Sequence, residues 1–263
     1  MEQTAIYTER QNRILTMLSR LQRINVQDLT RKLGVSEVTI RKDLSFLEER
    51  GKLVRVRGGA RLAEDGKRLR TIDARIDEQR AEKRAIAVRA LTLIREGENI
   101  FIDSGSTCAC LAALLRDREL RVMTNSLDVL NELAGAPGIA LLSTGGSFRP
   151  EARSFIGPTA LANLKNFQID TCFIGTTGFT VEGIFTSQNT LESQLKSAVL
   201  RASGRRIVLA DHTKFGRSAF SVFARAREID VLITDTSLPE VEALGRLGIE
   251  LLRTGAEENQ TKQ

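Results

Sequence analysis

Apolar positions over residues 8–50 recur every three to four residues, in three separate runs. Ile14, Leu15, Leu18 and Leu21 form the first and predict a helix over 8–21. Val26, Leu29 and Leu33 form the second, with Asn25 before them as a cap and Asp28 at the box position. Ile40, Leu44 and Leu47 form the third, opened by Ser36 and stopped by Gly51. Gly34 turns the chain between the second and third runs, so the three helices have the spacing of a helix-turn-helix. The period then changes: Lys52-Leu53-Val54-Arg55-Val56-Arg57 interleaves apolar with basic residues. That pattern predicts a hairpin wing with its apolar side on the helices.

Residues 61–84 are highly charged and carry no steady apolar stripe before Ile72 and Ile76. They read as a linker over 61–71 and then a helix reaching about Ile94. A single solvated helix from the wing onward is the alternative, with Gly66 its only strong breaker. From residue 98 short apolar runs alternate with amphipathic stretches. Strands are predicted at Asn99–Asp103, Arg121–Thr124, Ile139–Ser143, Thr171–Gly175, Ile207–Asp211, Val231–Thr234 and Glu250–Leu252. Helices are predicted at Cys108–Leu115, Leu127–Leu133, Thr159–Lys165, Leu191–Ala202 and Pro239–Leu247. Such alternation implies an α/β domain with a mostly parallel sheet, in which ligands sit beyond the carboxyl ends of the strands.

Charge sharpens this two-part picture. The chain has 263 residues, 41% of them hydrophobic, which suffices for a small domain and a medium one. The formal charge is +6, and its location matters more than its size. Residues 1–84 carry 20 Lys and Arg against 13 Asp and Glu, a net of +7, which leaves −1 for the rest. A basic module for an anionic partner, joined to a neutral domain with another task, is the expectation. Three cysteines, Cys108, Cys110 and Cys172, in mostly apolar surroundings point to a reducing, cytoplasmic setting. With one histidine, His212, neither a zinc site nor a histidine-based triad is expected, and no cofactor is implied. The start is polar and no apolar run is long enough to span a bilayer, so no membrane association is expected.

A helix-turn-helix offers the N-terminal, outward residues of its third helix to the DNA major groove. Here those are Ser36, Glu37, Val38, Thr39, Arg41 and Lys42, with Arg55 and Arg57 on the wing facing the phosphate backbone. Arg41 can grip a guanine edge with two hydrogen bonds, and Lys42 suits a phosphate or a single acceptor. Basic residues on a helix are usually a solvated face. The spacing, the wing and the charge asymmetry together favour DNA.

The strand ends of the second domain are polar. Asp103-Ser104-Gly105-Ser106-Thr107 leads from a strand into a helix, where small residues and hydroxyls could cradle a phosphate. A capped strand-to-helix turn has the same pattern. Asp103 would repel a phosphate and is read as holding a sugar hydroxyl or the loop. Thr124-Asn125, Thr144-Gly145-Gly146, Gly175-Thr176-Thr177-Gly178 and Asp211-His212-Thr213-Lys214 repeat the theme. Glu192 and Lys196 lie four apart, as a site pair or as a surface ion pair. Lys214 is a point charge for phosphate or a solvated lysine. Cys108-Ala109-Cys110 reads as core.

The stretch from Glu9 to Ala60, with VSEVTIRKDL and then Gly58-Gly59-Ala60, resembles the DNA-binding domain of the DeoR family of bacterial repressors of sugar metabolism. Lys42 stands where many members carry a second arginine. IFIDSGSTC, VMTNSLDV, STGGSFRPEARSFIG, FIGTTG, LESQLKSAVL and VLADHTKFGRSAF resemble successive motifs of that family's sensor domain. The resemblance implies a winged helix-turn-helix over 1–60, a linker over 61–71, an effector domain over 72–257 and a polar tail over 258–263. It also implies an α/β sensor similar to ribose-5-phosphate isomerase and coenzyme A transferases. Asp103, Gly105, Ser106 and Thr107 would then hold the phosphate of a sugar-phosphate inducer. Thr124, Asn125, Gly145 and Gly146 would line the pocket, and Glu192, Lys196, Asp211 and Lys214 would contact the sugar or close the site. Partners so implied are operator DNA, the phosphorylated sugar and further copies of the chain in a dimer or tetramer. The alternative is a sugar-phosphate isomerase with a basic appendage.

Overall fold

The structure is a computed structural model that describes residues 8–21, 23–49, 53–56, 58–62, 78–235 and 242–254. Arg57, Gly51, most of the expected linker and the polar tail lie outside the described residues. The chain divides into two compact units, Met1–Leu69 and Arg70–Gln263.

In the first unit, α1 (Glu9–Leu21), α2 (Val26–Leu33) and α3 (Glu37–Glu49) follow the three apolar runs. Asn25 accepts a hydrogen bond from the Asp28 N–H at 2.7 Å, and the Gly34 N–H donates to the Thr30 carbonyl at 2.9 Å, so both ends of α2 are closed. Ile14, Leu18, Leu29, Ile40, Leu44 and Leu47 are fully buried together, with Leu53 of the wing beside them. The wing is β2 (Leu53–Val56) paired antiparallel with β3 (Gly59–Leu62), which continues two residues into the stretch read as linker. Its third strand, β1 (Arg23–Asn25), was not legible in the sequence because three residues carry no periodic signal. Gly59 is required where β1 meets β3: a Cβ there would lie 2.2 Å from the Ile24 carbonyl oxygen.

The second unit is a three-layer α/β domain. Its first described helix is α4 (Arg80–Leu91), which ends three residues before the expected Ile94, while the expected start near residue 72 lies outside the described residues. Its central sheet contains β4 (Asn99–Ile102), β5 (Leu120–Thr124), β6 (Ile139–Ser143), β9 (Ile169–Gly175), β12 (Ser203–Leu209), β14 (Val231–Thr234) and β15 (Glu250–Arg253). These are the seven predicted strands. They lie in the order β15-β14-β12-β9-β4-β5-β6, and every neighbouring pair is parallel. Successive strand residues alternate between two apolar layers: Ile100, Ile102, Ile207, Leu209, Val231 and Ile233 face one, and Phe101, Val208 and Leu232 the other. The first layer is completed by α4, α5 (Ser106–Ala112) and α6 (Leu127–Leu133). The second is completed by α7 (Pro158–Leu164) and α8 (Thr190–Ala202), with α9 (Glu242–Gly245) contributing Leu244. Cys108 and Cys172 are buried in these layers, where burial pushes the Cys172 thiol up to about 12.

Two features were absent from the sequence reading. A hairpin of β7 (Ser147–Arg149) and β8 (Ser154–Ile156) follows β6, and a three-stranded antiparallel sheet joins β10 (Gly178–Phe179), β11 (Ile184–Ser187) and β13 (Ser221–Arg225). Phe179, Phe185 and Phe223 of that small sheet pack into the second apolar layer. Ser193 and Ser197 of α8 donate to the carbonyls of Ser221 and Phe223, which covers the β13 edge.

Candidate functional site

Helix α3 has two faces set by its sequence. Ile40, Leu44 and Leu47 point into the core, while Val38, Arg41, Lys42 and Ser45 follow i, i+3, i+4, i+7 spacing on the opposite side. Ser36 caps the helix, accepting from the Thr39 N–H at 3.3 Å and bonding the Thr39 hydroxyl at 2.9 Å. Arg41 pairs with Glu37 one turn back at 3.2 Å, and both side chains remain about half exposed. The pairing draws the guanidinium toward the helix N-terminus, the end a helix-turn-helix directs at base edges. Arg55 is exposed and leans along α3: its guanidinium donates to Ser45 at 2.9 Å and its N–H to Glu48 at 2.9 Å. Strand parity places it on the face of buried Leu53. A second clamp sits behind the reading face, where buried Asp43 accepts from Arg10 at 2.5 Å and from Gln11 at 3.2 Å, fixing α1 to α3.

In the second unit the strand order reverses between β4 and β9: the chain runs β4-β5-β6 to one side and β9-β12-β14-β15 to the other. Crevices form at such a switch point, beyond the carboxyl ends of the two strands. The cleft there is lined by Ser104, Gly105, Ser106 and Thr107 after β4, and by Thr176 and Thr177 after β9. Asp211 and Lys214 enter after β12, Glu192 and Lys196 from α8, and Lys83 from α4. It encloses only about 40 Å³, so a sugar phosphate must occupy its open mouth or part its walls.

A buried charge network forms the floor. Lys196, 3% exposed, donates to Asp103 and to the Gly175 carbonyl at 2.9 Å, and it pairs with Glu192 at 3.4 Å. Asp103 also accepts the Gly175 N–H at 3.0 Å, so it ties the ends of β4 and β9 together. Of the two roles open to Asp103, holding the loop is the one its contacts support. Arg149, on the β7–β8 hairpin, reaches Glu192 at 2.6 Å. Burial works against charge at Lys196, but Asp103 and Glu192 outweigh it and hold its pKa above the ordinary lysine value. Burial likewise opposes ionisation of Glu192. Lys196, the Ser187 hydroxyl and Arg149 prevail and keep its pKa below the usual carboxylate range. The i, i+4 spacing of Glu192 and Lys196 therefore marks a buried network and not a surface pair.

The other cations differ in exposure, Lys83 being buried and Lys214 half-buried. Lys83 donates to the Glu78 carbonyl, and burial lowers its pKa, with Asp211 opposing that and Lys214 adding to it. Asp211 accepts from the Thr213 N–H at 3.0 Å, shaping the turn that carries Lys214. Beside it, His212 meets Asp235 at 2.5 Å.

Thr124, Asn125, Gly145 and Gly146 do not line this cleft. Thr124 donates to the Ile102 carbonyl at 2.6 Å, and the Asn125 carbonyl accepts the Phe155 N–H at 2.7 Å. The β7–β8 hairpin thus covers the ends of β5 and β6. Gly146, at φ 110°, serves its turn, since a Cβ there would lie 2.6 Å from the Ile156 carbonyl oxygen. Lys83, which lines the cleft, and Arg149, which holds Glu192 of its floor, are residues that the sequence reading missed. Lys83 had a signal: it lies three and four residues before Ile86 and Ala87, on the buried face of α4. A charge at a core position is a site candidate. Arg149 had none, because its partner is 43 residues away in sequence.

Comparison with known proteins bears on both units. Residues 10–65 match the family model of the DeoR-like helix-turn-helix domain, and residues 78–236 that of the DeoR C terminal sensor domain. A protein of Escherichia coli O157:H7, provisionally named as an aga operon transcriptional repressor, is 33% identical over 94% of this chain and 94% of its own. The HTH-type transcriptional regulator GolR of Listeria innocua is 36% identical over 88% of this chain and 91% of its own. Among solved structures, ribose 5 phosphate isomerase A from Neisseria gonorrhoeae gives a TM-score of 0.39 at 18% identity, over 52% of this chain and 53% of its own.

Proposed function

As this chain belongs to the DeoR family of DNA-binding transcriptional regulators, we propose that it represses a sugar-utilisation operon and is released from its operator by a phosphorylated sugar. One observation carries the effector half: Lys83, Lys196 and Lys214 converge with the hydroxyls of Ser104, Ser106, Thr107, Thr176 and Thr177 on one cleft at the switch point of the sheet. Lysines supply charge and small hydroxyl residues supply donors, the recognition chemistry of a phosphoryl group. The domain limits of the sequence reading, with the reading head ahead of the sensor, belong to this proposal. So do the effector roles of Asp103, Gly105, Ser106, Thr107, Glu192, Lys196, Asp211 and Lys214, and the DNA-facing roles of Ser36, Glu37, Thr39, Arg41, Lys42 and Arg55.

Repression that can be lifted needs two arrangements of the protein, and the sugar phosphate must prefer the DNA-incompetent one by a few kcal/mol. An even number of copies would match paired operator half-sites. The isomerase alternative needs a carboxylate poised to take a proton from carbon. Asp103 and Glu192 are instead committed to Lys196, Gly175 and Arg149, and Asp211 to its own turn. That wiring favours a binding site over an isomerase.

Two variants test the two halves. Arg41→Ala should weaken operator binding by about 1–3 kcal/mol, the discrimination expected of one bidentate base contact. A gel-shift titration with unchanged affinity would remove Arg41 from the interface. For the sensor, a panel of pentose and hexose phosphates with inorganic phosphate as control is screened by thermal shift, where a ligand at a hundred times its Kd should add about 2.7 kcal/mol of stability. Ser106→Asp, which puts an anion into the cleft, should abolish both that shift and operator release while leaving DNA binding intact. A Ser106→Asp protein still released by the same sugar phosphate would place the effector elsewhere.

A further inference from the structure

Hydrogen bonding and phosphate attraction account for most of the α3 face, but not for Val38. It is 64% exposed, in the first turn of the helix, and it shares a shallow groove with Arg41, Lys42, Ser45 and Phe46. It packs in none of the apolar clusters, whereas Ile40, two residues on, is fully buried. A β-branched residue is also a poor helix former, so local propensity does not explain it. A phosphate oxygen gains nothing from an isopropyl group.

We propose that Val38 packs against the 5-methyl group of a thymine in the major groove, next to the base pair read by Arg41, and so is a specificity-determining residue of the operator contact. This rests on the DNA-binding reading above and adds the identity of one base. Among the four ordinary bases the thymine methyl is the only apolar group presented in the major groove. Arg41 and Lys42 on either side are charge-complementary to a polyanion and bring a duplex onto this face. The Glu37–Arg41 pair at 3.2 Å holds the guanidinium toward the turn that carries Val38. The two contacts then fall within reach of neighbouring base pairs, which are about 3.4 Å apart along a strand.

The test begins with the full chain enriching a duplex from a random-sequence library. Each thymine of the enriched duplex is then replaced singly by uracil, which removes only the methyl group, and affinity is measured by fluorescence anisotropy. One position should weaken wild-type binding about three- to five-fold, the effect of one buried methyl group. Val38→Ala should lose a similar factor on the parent duplex and should no longer distinguish thymine from uracil there. Because Val38 is exposed, the melting temperature of the variant should match wild type. Uracil substitutions that are all neutral, or a Val38→Ala protein that still discriminates, would overturn the assignment while leaving DNA binding in place. A library that enriches no duplex would overturn the DNA-binding reading itself, and this inference with it.

Discussion

Lys196→Met should destabilise the sensor unit by about 3–5 kcal/mol, the cost of leaving a buried charge without its partner. Methionine nearly preserves the volume, so the loss is electrostatic. Asp103, 1% exposed, and Glu192 would keep their carboxylates in the interior with the ammonium gone. For a domain of this size that amounts to roughly 6–20 °C in the melting temperature, read by calorimetry or chemical denaturation. Adding Asp103→Asn should recover much of it, since replacing both partners removes the stranded charge. A shift below about 1 kcal/mol would mean that water, and not Asp103, satisfies Lys196. The network also has a pH signature. Glu192 has its folded pKa depressed below the ordinary carboxylate value of 4.5, so its contribution is present above about that pH and is lost as pH falls through the lower folded value. Lys196 has its folded pKa raised above 10.5, so its contribution is present below that value and is lost as pH rises through the higher one. Asp103 acts in the opposite sense on the acid side: burial raises its folded pKa above 3.8 against the pull of Lys196. Its contribution is therefore lost as pH rises through that raised value, and Lys196→Met should deepen this loss.

Leu44→Ala should abolish operator binding by a different route. Leu44 is fully buried at the centre of the small cluster formed by Ile14, Leu18, Leu29, Ile40, Leu47 and Leu53. Truncating a core leucine costs about 2–5 kcal/mol. A domain of about 60 residues has little more than that to lose, so the folded fraction of the reading head falls, and apparent affinity falls with it. Sucrose, which strengthens burial, should restore much of the binding of Leu44→Ala and none of that of Arg41→Ala. Retention of wild-type affinity and melting by Leu44→Ala would show that the head is stabilised by something other than this core.

The reading head was almost wholly legible before any coordinates. Its helices are set by local periodicity, its caps by single side chains such as Asn25 and Ser36, and its role by charge placed within one short stretch. What escaped there was β1, which exists only because β3 returns to pair with it. The sensor was legible in its seven central strands and in the helices between them, again from local patterns. The small sheet and the β7–β8 hairpin escaped because strands of two to five residues are fixed by non-local pairing, as in Ile184 opposite Arg225.

The sequence by itself determined which segments are helix or strand, where the cationic face lies, and that several strands end in small polar residues. Only the tertiary structure decided which of those ends meet around one cleft. Thr107 and Thr124 look equivalent along the chain, yet one faces a cleft and the other is buried with its hydroxyl on the Ile102 carbonyl. Arg149 looks like an ordinary surface cation along the chain and instead reaches the charged floor of the cleft. The reason is that side-chain period is a property of neighbouring residues, whereas strand order depends on how crossovers return the chain. The reversal between β4 and β9, which brings residues 103, 175 and 196 into one hydrogen-bonded cluster, is a fact about space that no local pattern encodes.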